Sequence, residues 1–148
     1  MKRILIAATV VALVSAACGG GGGDKSAEAA PARTVEVDMV DVAFQPATLT
    51  AEAGERIRFV FHNRGTAVHD AFIGHAAAQA DHEQEMRESE KGGHGGHGSG
   101  DDEANALTLD PGQRGELIYT VDGTGPLEIG CHQPGHYAAG MKIALTVA

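Results

Sequence analysis

The sequence predicts an all-β fold, a sandwich or barrel, because apolar and polar residues alternate along five short segments. Ile57, Phe59 and Phe61, for example, alternate with polar neighbours, and a period of two residues is typical of half-buried strands. Turn sequences such as Asp110-Pro111-Gly112 separate the segments, and many short strands at such spacing are typical of sandwiches and barrels. The five segments span residues 35–39, 57–61, 117–121, 127–131 and 141–147.

Size and charge limit the possible functions. The chain has 148 residues, which is enough for one ordinary domain and not for two. It carries 11 Lys and Arg against 20 Asp and Glu, a formal net charge of −9. Nucleic-acid binding is not expected, because a basic surface supplies most of the affinity of such proteins. We expect a monomer.

The first 17 residues are predicted to be a secretory signal peptide. Lys2 and Arg3 precede an apolar run over residues 4–14, which is too short to span a bilayer as a transmembrane helix. We therefore expect an exported protein. Loss of residues 1–17 leaves 9 Lys and Arg against 20 Asp and Glu, a net charge of 9 − 20 = −11.

Cys18 is predicted to anchor the exported chain to a membrane. The segment SAAC, which ends at Cys18, resembles a bacterial lipoprotein box, in which the Cys is acylated and becomes the first mature residue. Residues 18–33 include five consecutive glycines and are predicted to be the lipid anchor and a flexible linker. We expect a cell-membrane lipoprotein that faces the periplasm or the exterior. A soluble secreted protein is the alternative.

Residues 75–104 break the strand pattern and are predicted to be a long insertion in a domain that spans residues 34–148. Residues 76–91 consist of good helix formers, and Glu83 precedes Arg87 at the favourable four-residue spacing. A glycine-rich segment follows and is predicted to be disordered. The insertion holds eight acidic and two basic residues, so it carries −6 of the mature charge of −11.

The residues that carry the chemistry lie on one loop near the C-terminus. Cys131, His136 and Met141 follow the pattern C-x4-H-x4-M between two predicted strands, and His69, near a turn, is the natural fourth ligand. A thiolate, two imidazoles and a thioether suit copper in both oxidation states. Because four protein ligands leave no position for a substrate, this set indicates electron transfer and no catalytic residue.

The sequence from Thr34 to Ala148, apart from the insertion, resembles the cupredoxin family, specifically its bacterial plastocyanin-like copper proteins. The F-x-P step at residues 44–46, the F-x-N-x-G run at residues 61–65, the His69 segment and the closing loop occur in the family's order. The resemblance implies a Greek-key β-sandwich with one mononuclear blue-copper site. It implies these ligands: His69 and His136 as imidazoles, Cys131 as thiolate, and Met141 as the axial thioether.

Asp70 and His132 each directly follow an implied ligand, and a different contribution is expected from each. The best-known family members commonly have Asn after the first His ligand, and its backbone N–H helps to hold the Cys sulfur. This chain has Asp70 there, and the added carboxylate bears on the redox potential. His132 directly follows Cys131, so it is expected to point to the opposite face, either beside the site or into solvent.

An exported carrier of single electrons is the predicted function, with a redox protein such as a cytochrome or an oxidase as its partner. Copper storage, resistance or delivery uses the same four ligands and is the alternative. A zinc enzyme on His69, Cys131 and His136 is disfavoured, because the closing loop supplies no general base. A multicopper oxidase is disfavoured because the chain has no H-x-H pairs.

An auxiliary metal site in the insertion is a further hypothesis. His75, His82 and Met86 fall seven and four residues apart, which would align them on one helical face, and His94 and His97 follow among glycines. Such an arm would collect copper ions loosely. A solvated acidic loop with incidental histidines is the alternative interpretation.

Overall fold

The computed structural model describes residues 33–91, 104–123 and 125–148. The signal peptide, the Cys18 anchor, the linker up to residue 32, and His94 and His97 lie outside the described residues. The elements are β1 Arg33–Val40, β2 Ala43–Gln45, β3 Thr48–Ala51, β4 Arg56–Asn63, β5 His69–Gly74, α1 Ala76–Lys91, β6 Ala106–Leu109, β7 Arg114–Thr120, β8 Pro126–Gly130 and β9 Lys142–Val147.

The strands form two mixed sheets, which confirms the predicted β-sandwich. The first sheet has the order β2-β1-β4-β7, and the second has the order β3-β9-β8-β5-β6. Two neighbouring pairs, β1 with β4 and β3 with β9, are parallel, and the other pairs are antiparallel. Aromatic and aliphatic side chains between the sheets, such as Phe59, Phe61 and Ile129, are fully buried and form the core.

The five segments with alternating residues correspond to β1, β4, β7, β8 and β9. The pattern did not reveal β5, because all six residues of this strand are buried. A strand that is covered on both faces has no polar face and therefore no alternation. The short strands β2, β3 and β6 were also not predicted.

The insertion contributes the single helix of the described chain, α1, which covers residues 76–91 as the helix formers in the sequence predicted. Glu83 and Arg87 form the expected ion pair across one turn, at 2.6 Å. The helix covers the outer face of the second sheet, where the Gln79 side chain donates hydrogen bonds to the carbonyl groups of Phe72, Gly74 and Glu128. None of the described residues form a helix with the length and apolar character that crossing a membrane requires.

Candidate metal centre

The pairing of β5 with β8 determines where the candidate ligands meet. Phe72 lies opposite Gly130 in this antiparallel pair, so the first residues of β5 lie beside the residues that follow β8. His69 is the first residue of β5, and Cys131 comes directly after the last residue of β8. His136 lies in the loop between β8 and β9 and returns to the same end of the sheet.

The structure brings His69, Cys131 and His136 together. The Cys131 sulfur lies 3.8 Å from Nδ1 of His69 and 3.4 Å from Nδ1 of His136, and the two imidazole rings have centroids 5.1 Å apart. The donor atoms of the three residues lie within 4.8 Å of one another. Within residues 33–91, 104–123 and 125–148, no other set of three His, Cys, Asp or Glu residues has this spacing.

Met141 lies one residue before β9, and its backbone is tied to two of these residues. The Met141 N–H donates to the His136 carbonyl at 3.0 Å, and the Met141 carbonyl accepts from the Cys131 N–H at 3.1 Å. Its side chain is fully buried in the same core cluster as Cys131. The loop therefore closes on itself through its own backbone hydrogen bonds.

Burial favours the neutral forms of His69 and Cys131. Burial, and then the neighbouring His136, lower the pKa of His69 despite the opposing effect of Asp41 and Asp70, so its ring offers a lone pair. Burial, followed by the charge of Asp70, raises the pKa of the Cys131 thiol far above its usual range. Two imidazole nitrogens and one displaceable thiol proton are a donor set that fits copper.

Asp70 holds the loop with its side chain. Its carboxylate accepts from the backbone N–H of His132 at 2.9 and 3.0 Å and from that of Gln133 at 3.0 Å. The Cys131 thiol also donates to Asp70, at a sulfur-to-oxygen distance of 3.4 Å. The backbone N–H of Asp70 hydrogen-bonds to the Cys131 sulfur, as the sequence suggested, and the carboxylate adds its own contacts to the thiol and to the loop.

His132 points away from the core, as expected. Of the two positions expected for its side chain, it takes the one beside the site and not the one in solvent. The side chain is 0% exposed, because α1 covers this face of the sheet. Its Nδ1 lies 2.6 Å from a Glu83 oxygen, and its Nε2 lies 2.7 Å from the Gln79 amide oxygen. Each ring nitrogen therefore lies within hydrogen-bonding distance of an oxygen on α1. The Tyr137 ring stacks on it with centroids 4.6 Å apart.

The described candidates for an auxiliary site contact different neighbours. His75 lies before α1, and its Nδ1 is 2.9 Å from the Pro126 carbonyl oxygen. His82 lies within α1 and stacks on Phe72 with ring centroids 4.1 Å apart. Met86, one turn further, is buried. With His94 and His97 outside the described residues, metal binding by the insertion stays a prediction.

The sandwich and its thiol–imidazole cluster together define a copper protein of the cupredoxin class. The chain belongs to the cupredoxin-like domain family, whose sequence model matches residues 4–87. That match ends before Cys131, so it is the geometry described above that assigns the closing loop to the site. Copper, the cofactor predicted from the sequence, is confirmed by the fold class together with the His69, Cys131 and His136 cluster.

The chain is similar to two copper-resistant cuproproteins and to one solved auracyanin structure. The chain is 36% identical over 146 residues to the copper-resistant cuproprotein CopI of Pseudomonas aeruginosa, with 83% of this chain and 81% of that protein covered. It is 37% identical over 110 residues to CopI of Rubrivivax gelatinosus, covering 74% and 62% respectively. It is also similar to dithionite-reduced auracyanin from Roseiflexus castenholzii, at 26% identity and a TM-score of 0.65, covering 80% and 99%.

Copper binding should release the thiol proton of Cys131 and should therefore strengthen as pH rises. The raised pKa keeps this thiol protonated in the metal-free protein at neutral pH, so the metal and the proton compete for the sulfur. We expect the apparent affinity to increase about tenfold per pH unit between about pH 7.5 and about pH 9. Competition titrations against a chelator, corrected for its own protonation, measure this slope. A flat profile contradicts thiolate ligation.

Proposed function

We propose that this protein is a mononuclear copper protein without enzymatic activity of its own, which carries single electrons through His69, Cys131, His136 and Met141. The observation that carries the proposal is the buried Cys131 sulfur facing Nδ1 of both His69 and His136. When bound, copper would accept and release one electron by alternating between Cu(II) and Cu(I). A redox protein such as a cytochrome or an oxidase is the proposed partner.

Two features of the loop support electron transfer. Backbone hydrogen bonds at Met141 and the Asp70 carboxylate hold the loop in place, so little rearrangement should accompany a change of oxidation state. His69 and Cys131 are fully buried, whereas His136 is half-buried and reaches the surface. His136 is therefore the proposed exit and entry point for the electron.

The copper-loaded protein should absorb visible light intensely when oxidised and should bleach on reduction, because a short thiolate-to-copper bond produces strong charge transfer. Cys131→Ser should abolish the band, since a hydroxyl is a far weaker donor to copper. Cys18→Ser is the matched control, because it removes the other sulfur of the same type and should leave the band unchanged. Absorption spectra of copper-loaded protein, oxidised and reduced, provide the test. A colourless copper-loaded wild type contradicts the proposal.

Copper resistance, through storage or delivery of the ion, is the second candidate function. The observation that favours it is the 36% identity to a protein named as a copper-resistant cuproprotein. The acidic, histidine-containing insertion is a feature that would suit such a function. Both functions use the same four ligands and differ in what leaves the site, the electron or the ion.

Mixing the reduced, copper-loaded protein with an oxidised basic cytochrome distinguishes the two functions. An electron carrier should regain its colour rapidly and keep its copper. The rate should fall as ionic strength rises, because the acidic surface steers a basic partner. A parallel sample receives a copper-free acceptor protein instead. If copper passes to this acceptor faster than electrons pass to the cytochrome, the second function holds.

We also propose that the protein is exported and anchored through an acylated Cys18. The basic head at Lys2 and Arg3, the apolar run and the small residues before Cys18 support this proposal. Acylated protein should sediment with membranes, since two or more acyl chains give stable anchoring where one does not. Cys18→Ser should move the protein to the soluble fraction and remove the acyl mass. Wild-type protein without added acyl mass would contradict the anchor.

A further inference from the structure

We propose that helix α1 of the insertion belongs to the scaffold of the metal centre, with Gln79 and Glu83 as positioning residues that fix the cysteine ligand through His132. This inference rests on the proposed function for its effect on copper. Its structural content, the immobilisation of Cys131, does not depend on copper. We refer to Gln79, Glu83 and His132 as the His132 network.

Gln79 connects the helix to both strands that lead into the site. Its side chain is 1% exposed, and its amide nitrogen lies 3.1, 3.2 and 2.9 Å from the carbonyl oxygens of Phe72, Gly74 and Glu128. Three carbonyl neighbours fix the orientation of the amide, because only its NH₂ end can donate to them. The amide oxygen is thereby aimed at Nε2 of His132, at 2.7 Å.

Glu83 holds the other nitrogen of the same ring. It lies one helical turn after Gln79, so both side chains project from the same face of α1. One carboxylate oxygen lies 2.6 Å from Nδ1 of His132, and the other accepts from Arg87 at 2.6 Å. Although burial opposes it, hydrogen bonds from His132 and Arg87 hold the pKa of Glu83 below its usual value, so the carboxylate stays charged.

The fit at Gly130 indicates that this contact with the helix is specific. A Cβ atom at Gly130 would lie 2.6 Å from the Gln79 amide oxygen and 2.8 Å from Cε2 of Tyr137. A side chain at this position would therefore displace the Gln79 amide and the ring that stacks on His132. The last residue of β8 is thus compatible with the His132 network because it is glycine.

The network acts on the metal centre because His132 directly follows Cys131. The imidazole ring is fixed at both nitrogens by α1, and the backbone N–H of the same residue is fixed by Asp70. Asp70 also accepts from the Cys131 thiol. Because residue 132 is held by its ring and by its backbone, the backbone of the preceding Cys131 is restrained, and with it the direction in which its Cα–Cβ bond points. A buried polar network of this kind defines one geometry, because any other arrangement leaves polar groups without partners.

Gln79→Ala and Glu83→Ala in the full-length chain test the proposal. Gln84→Ala is the matched control, because Gln84 is an exposed glutamine on the same helix. Val37→Ala, which truncates a buried residue of the other sheet, controls for a general loss of stability. Two readouts are used: the spectrum and affinity of the copper-loaded protein, and the alkylation rate of Cys131 without metal. Peptide mass spectrometry separates Cys131 from Cys18.

We expect Gln79→Ala and Glu83→Ala to shift the thiolate-to-copper band and to weaken copper affinity about 10-fold to 100-fold. Alkylation of Cys131 should become about tenfold faster in both, since the loop opens more often. Gln84→Ala should match wild type, and Val37→Ala should lower the unfolding temperature without moving the band. Glu83→Gln keeps an oxygen acceptor for His132 and should restore most of the wild-type behaviour.

Several outcomes would overturn the inference. One is a folded Glu83→Ala protein with the wild-type band and the wild-type alkylation rate. If Gln79→Ala does not fold, the Glu83→Ala result alone decides, because Glu83 is partly exposed and its substitution should be tolerated better. Another is the same band shift in Val37→Ala, which would assign the effect to stability alone. If wild-type protein shows no thiolate-to-copper band, the proposed function fails. In that case the alkylation rates alone still decide whether α1 immobilises Cys131.

Discussion

The antiparallel register between β5 and β8 is the constraint on which the metal centre depends. With Phe72 opposite Gly130, His69 reaches the position where Cys131 leaves β8. Successive residues of a strand face opposite sides, so His69 turns toward the core while Asp70 turns toward the face covered by α1. A slip of one residue would exchange these two faces, placing a carboxylate in the ligand set and leaving the loop without its acceptor.

The charges at this end of the sandwich explain how a metal-free site can be buried. A thiolate buried without a counter-ion would be costly, and burial accordingly raises the pKa of Cys131. The Asp70 carboxylate is accommodated because backbone N–H groups of His132 and Gln133 donate to it. When bound, copper would supply the positive charge that a thiolate requires.

Local patterns predicted the parts of the structure that local chemistry determines. The helix at residues 76–91 was predicted with its observed bounds, because helix formers and the Glu83–Arg87 spacing are properties of neighbouring residues. The cluster of His69, Cys131 and His136 followed from one loop motif and one upstream histidine. By contrast, β5 was not predicted, because its second covered face is produced by α1, which packs on it only in the folded protein.

The contacts of His132 illustrate the limit of the sequence more sharply. Gln79 and Glu83 are separated from His132 by 53 and 49 residues, and their four-residue spacing on a helix was the only local sign that they share a face. Nothing in that spacing indicates which part of the sheet the helix covers. Only the packed structure shows that its polar face meets the residue beside the thiol.

The insertion bears differently on the two candidate functions. An electron carrier benefits from a rigid ligand set, because the geometry then changes little between oxidation states. A protein that delivers copper has to release the ion, so its ligands have to move away from the metal. The described part of α1 contacts His132, next to the buried Cys131, while His136 on the same loop is half-buried and reaches the surface. Ligand exchange would therefore begin most easily at His136, with the cysteine side still held. A rigid cysteine with a surface histidine suits electron transfer directly, and it suits delivery only to a partner that approaches from the His136 side.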